Sequence, residues 1–198
     1  VERCSDLIQR AIKFEQQNFL YIKALGSPWV QFNGHTLNLS HRQIEILCIL
    51  ALHPYGIGLD ELHYALYGER NVSIKTLKAE LSQLRSLLPH CIEARIYKLT
   101  CEVQCDFVRA EQSLNANLIA STFSLYKGSF LSKSESPLLS TWRHCFDARL
   151  SQLIYQIKDI DQLLRIIGQT HDRIDAVQRL LELLPQDSIH RNYFSNLI

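Results

Sequence analysis

The chain has 198 residues, 46% of them hydrophobic, which suffices for one large or two small globular cores. Its 21 Lys+Arg and 20 Asp+Glu leave a formal net charge of +1, so no overall field draws it to nucleic acid or membrane, and any such surface must be local. Six cysteines are too sparse for a secreted disulfide scaffold, and no apolar run nears the roughly 18 residues of a membrane-spanning helix.

Residues 1–18 place Leu7, Ile8, Ala11, Ile12 and Phe14 near helical spacing and read as a connecting helix. This stretch lacks the apolar core of a signal peptide, and no Met stands at position 1 or anywhere else. The expectation is a cytoplasmic piece of a longer protein. FLYIKALGSPWVQFNGHTLNLS then switches to β-rich runs, with three short strands expected near 19–25, 29–33 and 36–39. Gly26-Ser27-Pro28 breaks the first run, and Asn33-Gly34 is a type I′ hairpin signal between the other two. Ser40 with Gln43 three residues on forms a capping box that opens a helix, whose stripe is Ile44, Leu47, Cys48 and Ala51. HPYGIG stops it. LDELHYALY gives a second, shorter helix ending at Gly68, and a third runs from about Ser73 to Leu88, closed by Pro89. CIEARIYKLTCEV returns to β-type residues, with Arg95-Ile96 at the tip of a hairpin. From Asp106 the pattern is helical, interrupted by YKGSFLSKSESP and later by LPQDS. The domain boundary is expected near 102–106, giving units of 19–104 and 105–198.

The third helix carries the functional question. At 100° per residue, Leu77, Leu81, Leu84 and Leu88 share one face, with Ile74 close by. Lys75, Ala79, Ser82, Gln83 and Ser86 lie opposite, Lys78 and Arg85 on one flank and Thr76 on the other. A merely solvated face fills with long charged residues, and this one does not. Ala79, Ser82 and Ser86 are small enough to let a backbone sink into a groove. Gln83 can hydrogen-bond a base edge, and Lys75, Lys78 and Arg85 can reach phosphates. An ordinary amphipathic helix accounts for the leucine stripe alone. The context favours recognition: two helices joined by a Gly-containing turn, then a β-hairpin fit to serve as a wing, make a winged helix-turn-helix.

LSHRQIEILCILALHPYGIGLDELHYALYGERNVSIKTLKAELSQLRSLL resembles the DNA-binding domain of response-regulator-type, OmpR/PhoB-like winged-helix activators, in which a three-stranded sheet precedes three helices. The likeness spans about residues 19–100, and LxxLR at Leu81 to Arg85 is its most family-like feature. The resemblance implies DNA contacts at Lys75, Thr76, Ala79, Gln83 and Arg85, with Tyr97 and Lys98 on the wing. Two positions depart from the pattern. Glu80 stands where phosphate is often contacted, and Ile96 stands where the wing usually has Gly. Further on, LIASTFSLYKGSFLSKSESPLLSTWR and DAVQRLLELLPQDSIHRNYFSNLI resemble the bacterial transcriptional activator domain, a tetratricopeptide-like helical module. In the second stretch Ala176, Leu180 and Leu184 line one helix, Pro185 breaks it, and Tyr193 and Leu197 begin the answering helix. Such hairpins bury their apolar faces by stacking. This resemblance implies dimerisation or contact with RNA polymerase, and leaves open a bundle that only supports the DNA-binding half.

The fold expected is therefore mainly α with small antiparallel β elements, a winged helix-turn-helix followed by an all-α, tetratricopeptide-like domain. His90, Cys91, Cys101 and Cys105 invite a zinc reading, but C-x3-C without a second close pair matches no common structural zinc spacing. No nucleophile elbow, phosphate loop or dinucleotide fingerprint occurs. No catalytic residue, metal or cofactor is expected, and the chain is not read as an enzyme. The partner expected is double-stranded DNA, with Lys75, Lys78 and Arg85 on phosphates, Thr76, Ala79, Ser82 and Gln83 on bases, and two copies on neighbouring half-sites. The rival is a protein-interaction module whose winged helix no longer binds DNA, which the low net charge and Glu80 favour.

Overall fold

The computed structural model describes residues 18–170, 172–186 and 188–196, so the connecting helix expected over 1–18 lies outside the described residues but for Asn18. β1 (Phe19–Lys23) alternates, burying Leu20 and Ile22. β2 (Trp29–Phe32) and β3 (His35–Leu37) pair antiparallel, Phe32 opposite His35 and Val30 opposite Leu37. The two residues between them have φ of 49° at Asn33 and 81° at Gly34, as a type I′ turn requires. Asn33 also locks this tip to β1: its Oδ1 accepts from the Phe19 N–H at 2.8 Å, and its own N–H donates to the Phe19 carbonyl at 2.9 Å.

The sheet has a fourth member that the sequence pattern assigned to the hairpin. β4 (Glu102–Cys105) lies beside β1 in the order β3-β2-β1-β4. The strand leaving the wing runs on into the sheet, where the Glu102 N–H donates to the Asn18 carbonyl at 3.0 Å.

Three helices follow the first three strands. α1 (His41–Leu52) begins with the capping box: Ser40 Oγ accepts from the Gln43 N–H at 3.2 Å, and Gln43 Oε1 accepts from the Ser40 N–H at 3.0 Å. In α2 (Leu59–Tyr67) the Glu61 carboxylate caps the Gly58 N–H, and Gly68 ends the helix with a φ of 58°. α3 (Ile74–Leu87) starts at Ser73, whose hydroxyl accepts from the Lys75 N–H. Ile46, Leu47, Leu62, Leu66, Leu77, Leu81 and Leu84 are all buried. Between α3 and β4 the chain forms the wing. Ile92 bridges Leu99 antiparallel, and Ile57, in the turn between α1 and α2, exchanges both backbone hydrogen bonds with Tyr97 at 3.0 and 2.9 Å.

The described residues divide into two compact units, one holding those up to Ile22 with Trp29–Gln104, the other Lys23–Pro28 with those from Cys105 on. Lys23–Pro28 is claimed by the helical unit because Asp106, 3% exposed, accepts hydrogen bonds from the N–H groups of Ala24, Leu25 and Phe107. The first strand therefore stops at Lys23 rather than near residue 25, and Leu25 bridges Phe130 instead.

The helical unit comprises α4 (Asp106–Asn115), α5 (Ile119–Leu125), α6 (Pro137–Gln156), α7 (Ile160–Gln169), α8 (Ile174–Leu183) and α9 (Ile189–Ser195). Trp142 sits among Phe107, Phe130 and Phe146, with ring centroids 4.5 to 5.6 Å away. Arg143 clasps the loop before α6 by donating to the carbonyls of Phe130, Leu131 and Ser134. α8 buries Ala176, Val177 and Leu180, with Leu184 half-buried. The answering helix is α9, which buries none of its residues; Tyr193 is 65% exposed, and Leu197 lies outside the described residues. Arg191 ties α9 back, donating to the carbonyls of Leu181 and Leu184 at 2.8 and 3.1 Å. The architecture is thus mainly helical with a small sheet, a winged helix-turn-helix followed by an all-α domain of helical hairpins. No helix among the described residues is long and apolar enough to cross a membrane.

Candidate nucleic-acid interface

α3 presents two chemically distinct sides. Leu77, Leu81 and Leu84 are buried at 0 to 2% exposure, which fixes the helix's rotation about its own axis. Lys75, Thr76, Lys78, Ala79, Ser82, Gln83 and Arg85 are all exposed. Seven of the nine residues expected at the site thus share one helix, held by a leucine stripe. The strip is low because its middle is built from Ala79, Ser82 and Ser86, and Ser86 folds its hydroxyl back onto the Ser82 carbonyl at 3.1 Å. Its cationic groups sit toward the ends, with Arg85 in the last turn, where the helix dipole favours a positive charge.

Glu80 does not share the strip. Its side chain is half-buried, close enough to Tyr67 to act on that hydroxyl, which burial pushes above its ordinary value and Arg42 pulls partly back. The carboxylate is turned into the domain, away from the seven exposed residues.

On the wing, the two residues that the resemblance implies are partly engaged within the fold. Tyr97 is half-buried, and its backbone is spent on Ile57. Lys98 pairs its ammonium with Glu93 across the hairpin at 2.9 Å, an exposed pair that neutralises the charge at little gain in stability. Ile96 is exposed at the tip and rests against Gly56. Between helix and wing, Ser82, Arg85, Leu88, Pro89, His90 and Ile92 line an open hollow of about 440 Å³.

The thiols behind the wing are not a reactive centre. Cys91 and Cys101 are free thiols, Cys91 Sγ donating to the Pro89 carbonyl at 3.4 Å, and burial pushes both up, Cys101 to about 12; Cys105, also buried, reaches about 12. Among the described residues no three His, Cys, Asp or Glu side chains gather as a metal would need.

Gln43 also belongs to this region. The residue is 6% exposed, and its Nε2 donates to Gln83 Oε1 at 2.9 Å. Its place in the capping box explains the Gln locally, and that local reason conceals the second hydrogen bond, which spans 40 residues.

The comparisons bear on fold. No family model matches the chain. The chain is 29% identical over 153 residues to an uncharacterized 47.3 kDa protein in the thcA 5′ region of Rhodococcus erythropolis, a match that covers 77% of the chain and 35% of that protein. Among solved structures it is similar to Mycobacterium tuberculosis EmbR in complex with a low affinity phosphopeptide, with a TM-score of 0.54 and 16% identity, over 91% of this chain and 56% of the other. The chain thus spans about a third of the curated relative and just over half of the solved chain. At that identity the likeness is one of fold: the same succession of elements fits a winged helix and a helical module.

Proposed function

We propose that the chain is part of a sequence-specific DNA-binding transcriptional regulator of bacterial type, acting in the cytoplasm, with α3 in the major groove of double-stranded DNA. The observation that carries the reading is the exposed side of α3, where short residues are flanked by Lys75, Lys78 and Arg85 above a buried leucine stripe. Those cations contact phosphates and set the salt dependence, while Thr76, Ala79, Ser82 and Gln83 meet base edges. The wing positions the domain through its backbone, and Tyr97 and Lys98 contribute less than α3. The helical unit is the natural place for contacts with RNA polymerase or a second copy.

An anisotropy titration against the gene's own upstream region at two salt concentrations tests this. Lys78→Ala should weaken all sequences alike and make the salt slope shallower by about one unit. Gln83→Ala should relax preference at one base pair by roughly tenfold with the slope unchanged. Equal binding by wild type and both variants sinks the proposal. One feature favours a second reading: with Lys98 neutralised by Glu93 and a net charge of +1, the surface also suits a protein partner. Salt-insensitive capture of a protein by a chain that ignores DNA would select it.

A further inference from the structure

Gln83 can meet a base with either end of its amide, and the fold has already chosen which. The Ser40 backbone N–H is only a donor, so the Gln43 oxygen must face it, as it does at 3.0 Å. That leaves the Gln43 nitrogen, a donor, pointing at Gln83, whose oxygen receives it at 2.9 Å. Each step follows from the one before, so the orientation of both amides is dictated by a backbone group whose polarity cannot be reversed. Gln43 is buried and Gln83 exposed, and the end of Gln83 left to solvent is its NH2 group.

Resting on the DNA-reading role of α3, we infer that Gln43 is a specificity-determining residue that never touches DNA: it holds Gln83 as a hydrogen-bond donor. Held so, Gln83 selects an acceptor edge in the major groove, guanine O6 and N7 or thymine O4. The paired contact to adenine, which needs amide oxygen and nitrogen together, is disfavoured because the oxygen is turned back toward the buried Gln43 nitrogen. The capping box serves two ends at once: it starts α1, and it fixes the polarity of a side chain on α3.

Gln43→Glu is the discriminating variant. One carboxylate oxygen keeps the bond to the Ser40 N–H, while the other can only accept, so Gln83 must turn its NH2 inward and present its oxygen. Binding-site selection from a randomised duplex, with wild-type full chain, first defines the base pair whose preference Gln83→Ala abolishes. At that pair the wild type should prefer guanine or thymine, and Gln43→Glu should shift the preference by roughly tenfold toward the donor edges of adenine or cytosine. Gln43→Leu, which frees both ends of the Gln83 amide, should remove the bias against adenine there and leave the other positions unchanged. A side-chain amide spectrum of the free protein adds a readout independent of DNA: the Gln43 NH2 protons should exchange slowly in wild type, and in Gln83→Ala they should not. Unchanged preference in both Gln43 variants overturns the inference while the proposed function stands. If Gln43→Glu does not fold, Gln43→Leu and the exchange measurement decide. A wild type that selects no sequence removes the DNA-reading role itself.

Discussion

Asp106 illustrates how one buried side chain can decide where a segment belongs. Its carboxylate takes three backbone N–H groups, two of them from residues more than eighty positions earlier. Burial pushes the carboxyl above its ordinary value, and the three N–H donors pull it partly back. In Asp106→Asn one oxygen still accepts, but an NH2 group meets the Leu25 N–H, donor against donor. The variant should lose about 1–3 kcal/mol, the usual cost of a buried group left unsatisfied, seen as a lower urea midpoint for the helical unit. The pH dependence has a definite sign. A raised folded pKa means that the native state holds the proton to higher pH than the unfolded chain, so the penalty of the buried charge is relieved as pH falls through the folded value toward the unfolded one. Wild type should therefore gain stability relative to Asp106→Asn as pH drops from neutral into that window. Midpoints that keep a constant difference at every pH would contradict the shift.

At the scale of elements, what the sequence disclosed was local. Asn33-Gly34 encodes its turn in two residues, Ser40 and Gln43 their cap in four, and the leucines of α3 their burial in three turns. What it hid depends on distant partners: β4 joining β1, Lys23–Pro28 leaving the first strand for Asp106, and Arg191 of α9 reaching the carbonyls of Leu181 and Leu184. The wing belongs to the second class. Its exposed tip is legible in Arg95-Ile96, yet its position comes from the backbone exchange between Tyr97 and Ile57. Gly56 permits that exchange, with a φ of 95° and the Ile96 Cγ2 only 2.3 Å from where a Cβ would stand. Gly56→Ala should cost about 1–3 kcal/mol of stability and release the wing. Adding Ile96→Ala should restore the steric part and leave the backbone part, so the double variant should melt between the wild type and Gly56→Ala. A Gly56→Ala chain that melts like wild type would show that the turn and wing are not braced together.

For the molecule as a whole, the small number of cations on α3 sets how it must use DNA if the proposed function holds. The polar strip of α3 could be read from residue spacing, because exposure there follows from helical period. The restraint of Gln83 by Gln43 could not, since it spans 40 residues and both residues have sufficient local reasons to be glutamine. With Lys98 engaged by Glu93, α3 of one copy offers Lys75, Lys78 and Arg85 to phosphates. Three such contacts give a salt slope of roughly −3, a weak and salt-sensitive grip. Affinity sufficient to hold a promoter near physiological salt then requires a second copy, with half-site centres about one helical turn, roughly 10 base pairs, apart. Two copies bound together should show a slope of roughly −5. The check is sedimentation of the chain with duplexes carrying one or two half-sites, followed by titrations at several salt concentrations. Two chains per tandem site, with the steeper slope and tighter binding than either half-site alone, is the expected result. One chain per tandem site with the slope of a single copy would mean that the unit of recognition is the monomer.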